Sequence, residues 1–208
     1  MSSTDIQTIR HLQQENIRLR SENNSLRDYV ERLQRGLTAL VDLQKSIDKI
    51  GPDTNVFILI HQLLEAALQA ANSDNGSLML LDEETGELVF VEVIGEARQK
   101  LLNYRLPKGE GIAGWCVAKR EPRLVVNAQA EPVFSARVDS YTGMETRSMI
   151  CVPLLDGRRR LGALEVVNTR SGGPFVQADF EVLQLVGKLA SLAIIAVEKS
   201  VAEDEQAA

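Results

Sequence analysis

Residues 142–154 read TGMETRSMICVPL, and the second half of this stretch opens an apolar run, SMICVPLL (148–155). The run stops at Asp156-Gly157, a pair typical of tight turns, and RLGALEVVN (160–168) follows it. Two strand-length segments rich in apolar residues, joined by a short turn, predict an antiparallel β-hairpin.

A second predicted hairpin lies earlier in the chain, where SLMLL (77–81) and LVFVEVI (88–94) flank a turn around Gly86. A less regular segment separates the two hairpins. The other elements predicted are a short helix near 112–119, a strand at 123–126 and a long helix at 177–201. This order predicts an α+β fold, in which helices pack on one face of an antiparallel sheet.

Three segments of the chain, together with the last helix, resemble the GAF domain family. They are LPKGEGIAGWCVAKREPRLVVN (106–127), SYTGMETRSMICVPL (140–154) and LGALEVVN (161–168). Cyclic-nucleotide-binding and bacterial sensor GAF domains carry a similar TGF-x-TR-S-x-L-x-VP stretch, and the resemblance covers about residues 37–200. It implies the GAF fold, a six-stranded antiparallel sheet with a small-molecule pocket under the irregular middle segment. It also implies dimers formed through the flanking helices and use as a sensory module.

A further fragment is similar to the N-K…F-x-x-x-D-E signature of this family, here Asn168, Phe175 and Asp179. The chain departs from the signature at Thr169, where the family has lysine, and at Phe180, where it has the final acid. The lysine–aspartate contact that the family uses therefore cannot form in the same way.

Five residues of the middle segment are candidates for ligand binding: Ile112, Trp115, Phe134, Asp139 and Arg147. Arg147 is suited either to bind an anionic ligand group or to pair with a nearby carboxylate that holds the loop. Trp115 and Phe134 could line a pocket wall, but their residue types favour ordinary core packing.

The middle segment also contains a literal G-x-G-x-x-G, at Gly109, Gly111 and Gly114. A dinucleotide site requires an apolar strand before this motif and an acidic residue after the next strand. The chain has NYRLP before the motif and Asn127 after the next strand. We therefore predict that the glycines form a tight turn into a helix whose free N–H groups face the pocket.

Neither cysteine suggests catalysis. The family that this chain resembles includes enzymes, notably the free methionine sulfoxide reductases. Their cysteine pattern would require a thiol at Ala113, whereas Cys116 is offset and Cys151 lies on a predicted central strand. His11 and His61 lack neighbouring residues with metal-ligand spacing. We expect no enzymatic activity and no metal site.

The N-terminal segment carries a heptad repeat. The d positions hold Leu12, Leu19, Leu26, Leu33 and Leu40. Asn16 and Asn23 occupy a positions, where a buried amide finds its twin only in a parallel, in-register, two-stranded coil.

The charges beside this seam favour the same arrangement. Glu15 and Glu22 fall at g, and Arg20 and Arg27 fall at e. In a parallel pair, Glu15 meets Arg20 and Glu22 meets Arg27 of the other chain. We expect a parallel homodimer.

The predicted organisation is a coiled coil at 1–36, a GAF domain with its bundle helices at 37–200 and a disordered acidic tail at 201–208. Gly51-Pro52 ends the first helix, and Asp53 is the expected N-cap of a second helix that runs to about Ala71.

Composition limits the partners. The chain has 208 residues and a formal net charge of -6, which disfavours general binding to nucleic acid. The N-terminus lacks the apolar core of a signal peptide, and the most apolar segment, LASLAIIAV (189–197), lies between Lys188 and Glu198. Two cysteines do not make a disulfide framework. We expect a cytoplasmic protein with reduced thiols and no membrane span.

The leading functional hypothesis is a cytosolic, dimeric signalling module that binds a small molecule and delivers its output to a signalling partner in trans. A structural dimer with a ligand-free GAF fold is the alternative. Neither the ligand nor the partner is identified by the sequence.

Overall fold

The computed structural model describes residues 3–51 and 54–207. The chain divides into two compact units, Met1–Gln34 and Arg35–Ala208.

Six α-helices and six strands make up the described residues. The helices are α1 (Ser3–Ile47), α2 (Val56–Ala71), α3 (Arg98–Leu101), α4 (Gly111–Lys119), α5 (Arg137–Thr142) and α6 (Gln177–Ala207). The strands are β1 (Ser73–Leu81), β2 (Leu88–Ile94), β3 (Arg105–Leu106), β4 (Arg123–Val125), β5 (Met149–Asp156) and β6 (Arg159–Thr169). A single 3-10 turn, Ala128–Ala130, follows β4.

The strands form one six-stranded sheet in the order β3-β2-β1-β6-β5-β4, and every neighbouring pair is antiparallel. The two predicted hairpins, β1–β2 and β5–β6, are therefore present, and they meet at the centre of the sheet. There β1 and β6 are in a register that pairs Ser77 with Glu165 and Leu78 with Leu164. Because side chains alternate along a strand, these two pairs face opposite sides of the sheet.

One face of the sheet is covered by α2, α6 and the end of α1. Leu63 and Leu64 of α2, Leu183 of α6 and Leu43 of α1 are fully buried in this core. The strand residues that meet them are Leu78, Ile150, Val152, Leu154, Leu164 and Val166. Burial of each such leucine contributes about 1.5–3 kcal/mol, so this layer fixes the helices to the sheet.

The opposite face is covered as well, by the segment between β2 and β5. Ile112 and Cys116 of α4 and Leu101 of α3 are buried against it. Its strand residues are Met79, Phe90, Met149, Cys151, Ala163 and Val167. The prediction of helices on one face was therefore incomplete, since both faces of the sheet are buried.

Helix α6 continues to Ala207, so its backbone extends into the predicted tail at 201–208. The second helix is capped by Asn55, whose Oδ1 accepts hydrogen bonds from the N–H groups of Phe57 (3.0 Å) and Ile58 (3.2 Å). The predicted cap, Asp53, lies outside the described residues.

The heptad leucines of the first unit lie on an exposed helical stripe. Leu12, Leu19, Leu26 and Leu33 keep 48–61% of their surface exposed. Within the chain, Glu15 and Glu22 both pair with Arg18, at 2.6 and 3.2 Å. The helix is present and its apolar seam is uncovered, while the coiled-coil pairing itself stays a prediction.

Helix α6 contains one stretch, Gln177–Ser200, that is long and apolar enough to cross a membrane by length and composition. Leu183, Val186, Ala190 and Ala193 of the same stretch are completely buried in the domain core. A core helix passes the same two criteria, so length and composition assign α6 no membrane role.

Candidate functional site

A cavity of about 70 Å³ lies between the sheet and the segment that joins β2 to β5. Its floor includes Ser77 and Phe90, and its roof includes Phe134 and Val138. One water molecule needs roughly 10–15 Å³ of such volume, so the cavity admits a group of a few heavy atoms.

The floor carries a carboxyl group, that of Glu165 on β6. Ser77 Oγ on β1 donates a hydrogen bond of 2.8 Å to Glu165 Oε1. Burial raises the pKa of Glu165 to about 7, and the negative charge of Asp139 adds to this shift while the Ser77 hydrogen bond opposes it. Near neutral pH, this group therefore exists in both its protonated and its ionised form.

The roof carries a second carboxyl group, that of Asp139 on α5. Its Oδ2 accepts a hydrogen bond from the backbone N–H of Thr146 (2.7 Å), and its Oδ1 accepts one from Thr146 Oγ1 (2.6 Å). These two bonds fix the carboxylate plane and join α5 to the loop before β5. Asp139 and Glu165 thus border the cavity from opposite walls.

Contacts on two sides hold the roof in place. On one side, Lys100 Nζ donates to the Thr142 carbonyl (2.8 Å), and the rings of Tyr104 and Tyr141 stack with centroids 5.2 Å apart. On the other side, Glu110 accepts a hydrogen bond of 2.9 Å from Ser135 Oγ, near the start of α4. These contacts join α5 and the segment before it to α3 and to the start of α4 around the cavity.

The glycine motif forms the turn into α4. Gly109 and Gly111 have φ angles of +74° and +65°, which favour glycine. A Cβ on Gly114 would lie 2.5 Å from the Gly109 carbonyl carbon. The motif thus builds a tight turn beside the cavity, as predicted, and Gly111 itself lines the cavity.

Three of the five candidate residues, Ile112, Phe134 and Asp139, line the cavity. Trp115 does not, because it lies off the buried face of α4 and its ring stacks on the Arg123 guanidinium, 4.3 Å from the ring centroid. Arg147 does not line it either. Its side chain is exposed, and its backbone N–H is bound by Asn168 Oδ1 (2.8 Å).

The three signature residues lie away from the cavity lining. Asn168, at a φ angle of +56°, accepts hydrogen bonds from the backbone N–H groups of Arg147 and Ser148. Phe175 is buried in the core on the helical side, and Asp179 Oδ2 accepts from the Val176 N–H (3.0 Å) at the start of α6. In this chain these residues anchor a loop, fill the core and fix the start of a helix.

Glu165 and Ser77 were not among the candidates from the sequence. In LGALEVVN, an acidic residue in an alternating strand indicates a solvent-facing position. The signal that indicates a buried position for Glu165 is the length of the segment between the two hairpins. This segment is long enough to cover the second face of the sheet.

The two cysteines are both buried, unoxidised thiols. Cys116 Sγ donates a long hydrogen bond (3.8 Å) to the Cys151 carbonyl. The adjacent Cys116 thiol, together with burial, raises the pKa of Cys151 well above its ordinary value. Such a thiol is a poor nucleophile, because the thiolate is the reactive form.

Within residues 3–51 and 54–207, no group of three or more histidine, cysteine, aspartate or glutamate side chains is arranged to hold a metal ion.

These features define a class: an α+β domain with a six-stranded antiparallel sheet, long helices on one face and, on the other, a small cavity beneath short helices and irregular structure. A family model described as GAF domain matches residues 58–194. The chain belongs to the GAF domain family, a type of signalling and sensor domain.

Among curated proteins, the chain is similar to a probable 3',5'-cyclic phosphodiesterase, pde-5, of Caenorhabditis elegans. The two are 24% identical over 188 residues, which is 84% of this chain and 25% of that protein. The chain thus spans about a quarter of the length of this relative.

Two solved structures illustrate the likeness in fold. The GAF domain of a phosphoenolpyruvate-protein phosphotransferase (ptsP) from Coxiella burnetii has a TM-score of 0.70 and 19% identity, covering 81% of this chain and 98% of that chain. Free methionine-R-sulfoxide reductase from Neisseria meningitidis, in complex with its substrate, has a TM-score of 0.63 and 22% identity, covering 76% and 87%. At these identities the likeness concerns the fold alone.

Proposed function

We propose that this chain is a cytosolic, dimeric sensory module that binds a small molecule in its GAF cavity and delivers its output to another protein in trans. The observation that carries the proposal is the cavity of about 70 Å³, which has carboxyl groups on two walls and apolar side chains between them. Binding sites combine apolar walls with a few polar groups in this way.

The cavity shares its floor with the helical layer, which supports a route for the signal. Ser77 and Glu165 face the cavity, while the next residues on the same strands, Leu78 and Leu164, pack against the helices. A ligand that prefers one spacing of β1 and β6 will also prefer one packing of α2 and α6.

A second link joins the cavity wall to α2. Ala97 and Leu101 line the cavity, and Arg98 lies between them in the sequence. The Arg98 guanidinium pairs with the buried carboxylate of Glu92. His61 Nδ1 of α2 lies 3.3 Å from the same Glu92 oxygen. If a ligand displaces α3, the contact between Glu92 and His61 on α2 will therefore change as well.

The heptad stripe supports the dimer. Leu12, Leu19 and Leu26 form an exposed seam, and the Asn16 and Asn23 side chains lie on the same stripe in positions that favour a parallel two-stranded coil. Such a rod also offers the output partner a surface at residues 1–36, a segment that is not part of the GAF domain.

We propose no catalytic role and no binding of cyclic nucleotide. The thiols support the first statement, since both are buried and the pKa of the Cys151 thiol is raised, which disfavours its reactive thiolate form. For the second, cationic side chains are the strongest partners of a phosphate group, and none of the described residues that line the cavity is lysine, arginine or histidine.

Native mass spectrometry of the full chain, isolated from its host without denaturation, tests the proposal. We expect two chains plus the mass of a retained small molecule. The variant Ala113→Leu fills the cavity and should retain no such mass, whereas Ala118→Leu, on the exposed face of the same helix, should behave as the wild type. A wild-type dimer without added mass favours the structural alternative, and a monomer contradicts the dimer.

A further inference from the structure

We propose that the cavity recognises a small organic cation, a protonated primary amine, which is held between the carboxyl groups of Glu165 and Asp139. This inference rests on the proposed function, that the cavity binds a ligand, and it assigns the chemical class of that ligand.

The charge balance of the cavity is the first argument. Glu165 and Asp139 are the two ionisable side chains that line it, and both are acidic. The described lining residues supply no cation to neutralise them. Two carboxylates that share a poorly hydrated space repel each other, and a cation between them replaces this repulsion with two attractions.

Hydrogen-bond capacity is the second argument. Glu165 Oε1 accepts from Ser77, whereas Oε2 has no hydrogen-bond partner among the described residues. The roof carboxylate of Asp139 is already oriented by Thr146, through one bond to each oxygen. An ammonium group has three donors, so it can bind Glu165 Oε2 and a remaining lone pair of Asp139 at the same time.

The apolar walls define the rest of the ligand. Phe90, Ile112, Phe134 and Met144 border the cavity, and they suit an alkyl chain attached to the amine. With a volume of about 70 Å³, the cavity fits a chain of a few carbon atoms. The same apolar walls disfavour a divalent metal ion, which requires oxygen ligands or retained water molecules on all sides.

Binding of such a cation should depend on pH. The groups that face Glu165 are Ser77 on β1, Cys151 on β5 as its cross-strand neighbour, and Asp139 on α5. Only ionised Glu165 attracts an ammonium ion strongly, and the pKa of about 7 makes the ionised fraction fall roughly tenfold between pH 8 and pH 6. An alkylamine stays protonated throughout this range.

The experiment uses three probes of equal size and different charge: propylammonium, 1-propanol and propionate. Each is titrated into the uniformly ¹⁵N-labelled full chain, and the amide signals of Ile112, Ala113 and Thr146 report binding in the cavity. We expect saturable shifts with propylammonium and none with 1-propanol or propionate. The Kd for propylammonium should be about tenfold higher at pH 6 than at pH 8.

Two variants complete the test. Glu165→Gln removes the floor charge and should raise the Kd for propylammonium at least tenfold, while Glu145→Gln, an exposed acid near the roof, should leave it unchanged. An equal Kd for wild type and Glu165→Gln overturns the assignment, because it shows attraction by surface charge alone.

The remaining outcomes separate this inference from the proposed function. Saturable binding of 1-propanol or propionate that is abolished by Ala113→Leu overturns the amine assignment and leaves the ligand-binding function standing. Absence of saturable cavity shifts with propylammonium also overturns the assignment, and the retained mass in the native spectrum then decides the proposed function independently.

Discussion

Ser77 Oγ donates a 2.8 Å hydrogen bond to Glu165 Oε1 across the central strand pair, on the floor of the cavity. This hydrogen bond lowers the pKa of Glu165 and so partly offsets the increase that burial causes. The pairing places a titratable group at the centre of the sheet, and several measurable properties depend on it.

The first prediction concerns stability against pH. The pKa of Glu165 rises from 4.5 to about 7 on folding, so the folded state binds more protons between these values. The free energy of unfolding therefore falls as pH rises from 4.5 to 7, by about 3 kcal/mol from this group at 1.36 kcal/mol per pKa unit. In Glu165→Gln the free energy of unfolding should lack this pH-dependent fall. The variant should therefore be more stable than the wild type above pH 7.

Urea denaturation at fixed protein concentration, from pH 5 to pH 8, measures the difference between the two proteins. Other titrating groups, such as Asp82 with its pKa of about 2, cancel in that difference. A difference that does not change with pH would show that Glu165 titrates normally.

The second prediction concerns Asn168, which binds the loop before β5. Its side chain accepts from the N–H groups of Arg147 and Ser148 and donates to the Glu145 carbonyl. Asn168→Ala removes these bonds and also strains a residue with φ of +56°.

The matched control is Asn103→Ala. Asn103 has φ of +66°, so it carries the same backbone strain without a recorded side-chain hydrogen bond. Thermal or chemical unfolding should show Asn168→Ala to be less stable than Asn103→Ala by roughly 1–3 kcal/mol. Equal losses would mean that the loop does not need the amide.

The third prediction concerns the turn into α4. A methyl group at Gly114 would lie 2.5 Å from the Gly109 carbonyl carbon, so the backbone must shift in Gly114→Ala. We expect a loss of about 1–3 kcal/mol in unfolding free energy, as for other overpacked sites. Gly173→Ala should change stability by less than about 0.5 kcal/mol, since its Cβ would meet only Ser171 Oγ at 3.9 Å. Indistinguishable variants would refute the packing argument.

The fourth prediction concerns the heptad asparagines. Replacing both Asn16 and Asn23 with leucine should raise the melting temperature and allow oligomers larger than dimers, because the amides specify a two-stranded coil at some cost in stability. Light scattering coupled to size-exclusion chromatography measures the stoichiometry. Asn24→Leu, at an outer heptad position, should stay dimeric. A double variant that remains strictly dimeric would remove the specificity argument.

The sheet was predictable because the sequence pattern that indicates each hairpin lies within a short stretch of the chain. Each hairpin has two alternating or apolar runs and a turn within a short window, as at Gly86 and Asp156-Gly157. The observed strand ends differ from the predicted ones by only a few residues, because hydrogen bonding extends past the apolar run. Strand β1, for example, begins at Ser73.

The site was less predictable because it is assembled from distant residues. Glu165 and Asp139 come from different elements, and no periodicity shows that they share a cavity. Arg147 was a reasonable candidate by charge, but the backbone fixed by Asn168 leaves its side chain exposed. The position of Trp115 was available from the helical wheel of α4, whose buried face is defined by Ile112, Cys116 and Val117.

The alternation along β1 and β6 has a consequence for how such a domain can change. Ser77 and Glu165 belong to the cavity, whereas Leu78 and Leu164 belong to the helical core. Substitutions at one set can alter chemical selectivity while leaving the apolar contacts of the other set in place. Ligand preference and output geometry can therefore diversify separately, in natural descendants of this chain or in engineered biosensors, although a single layer of backbone carries both.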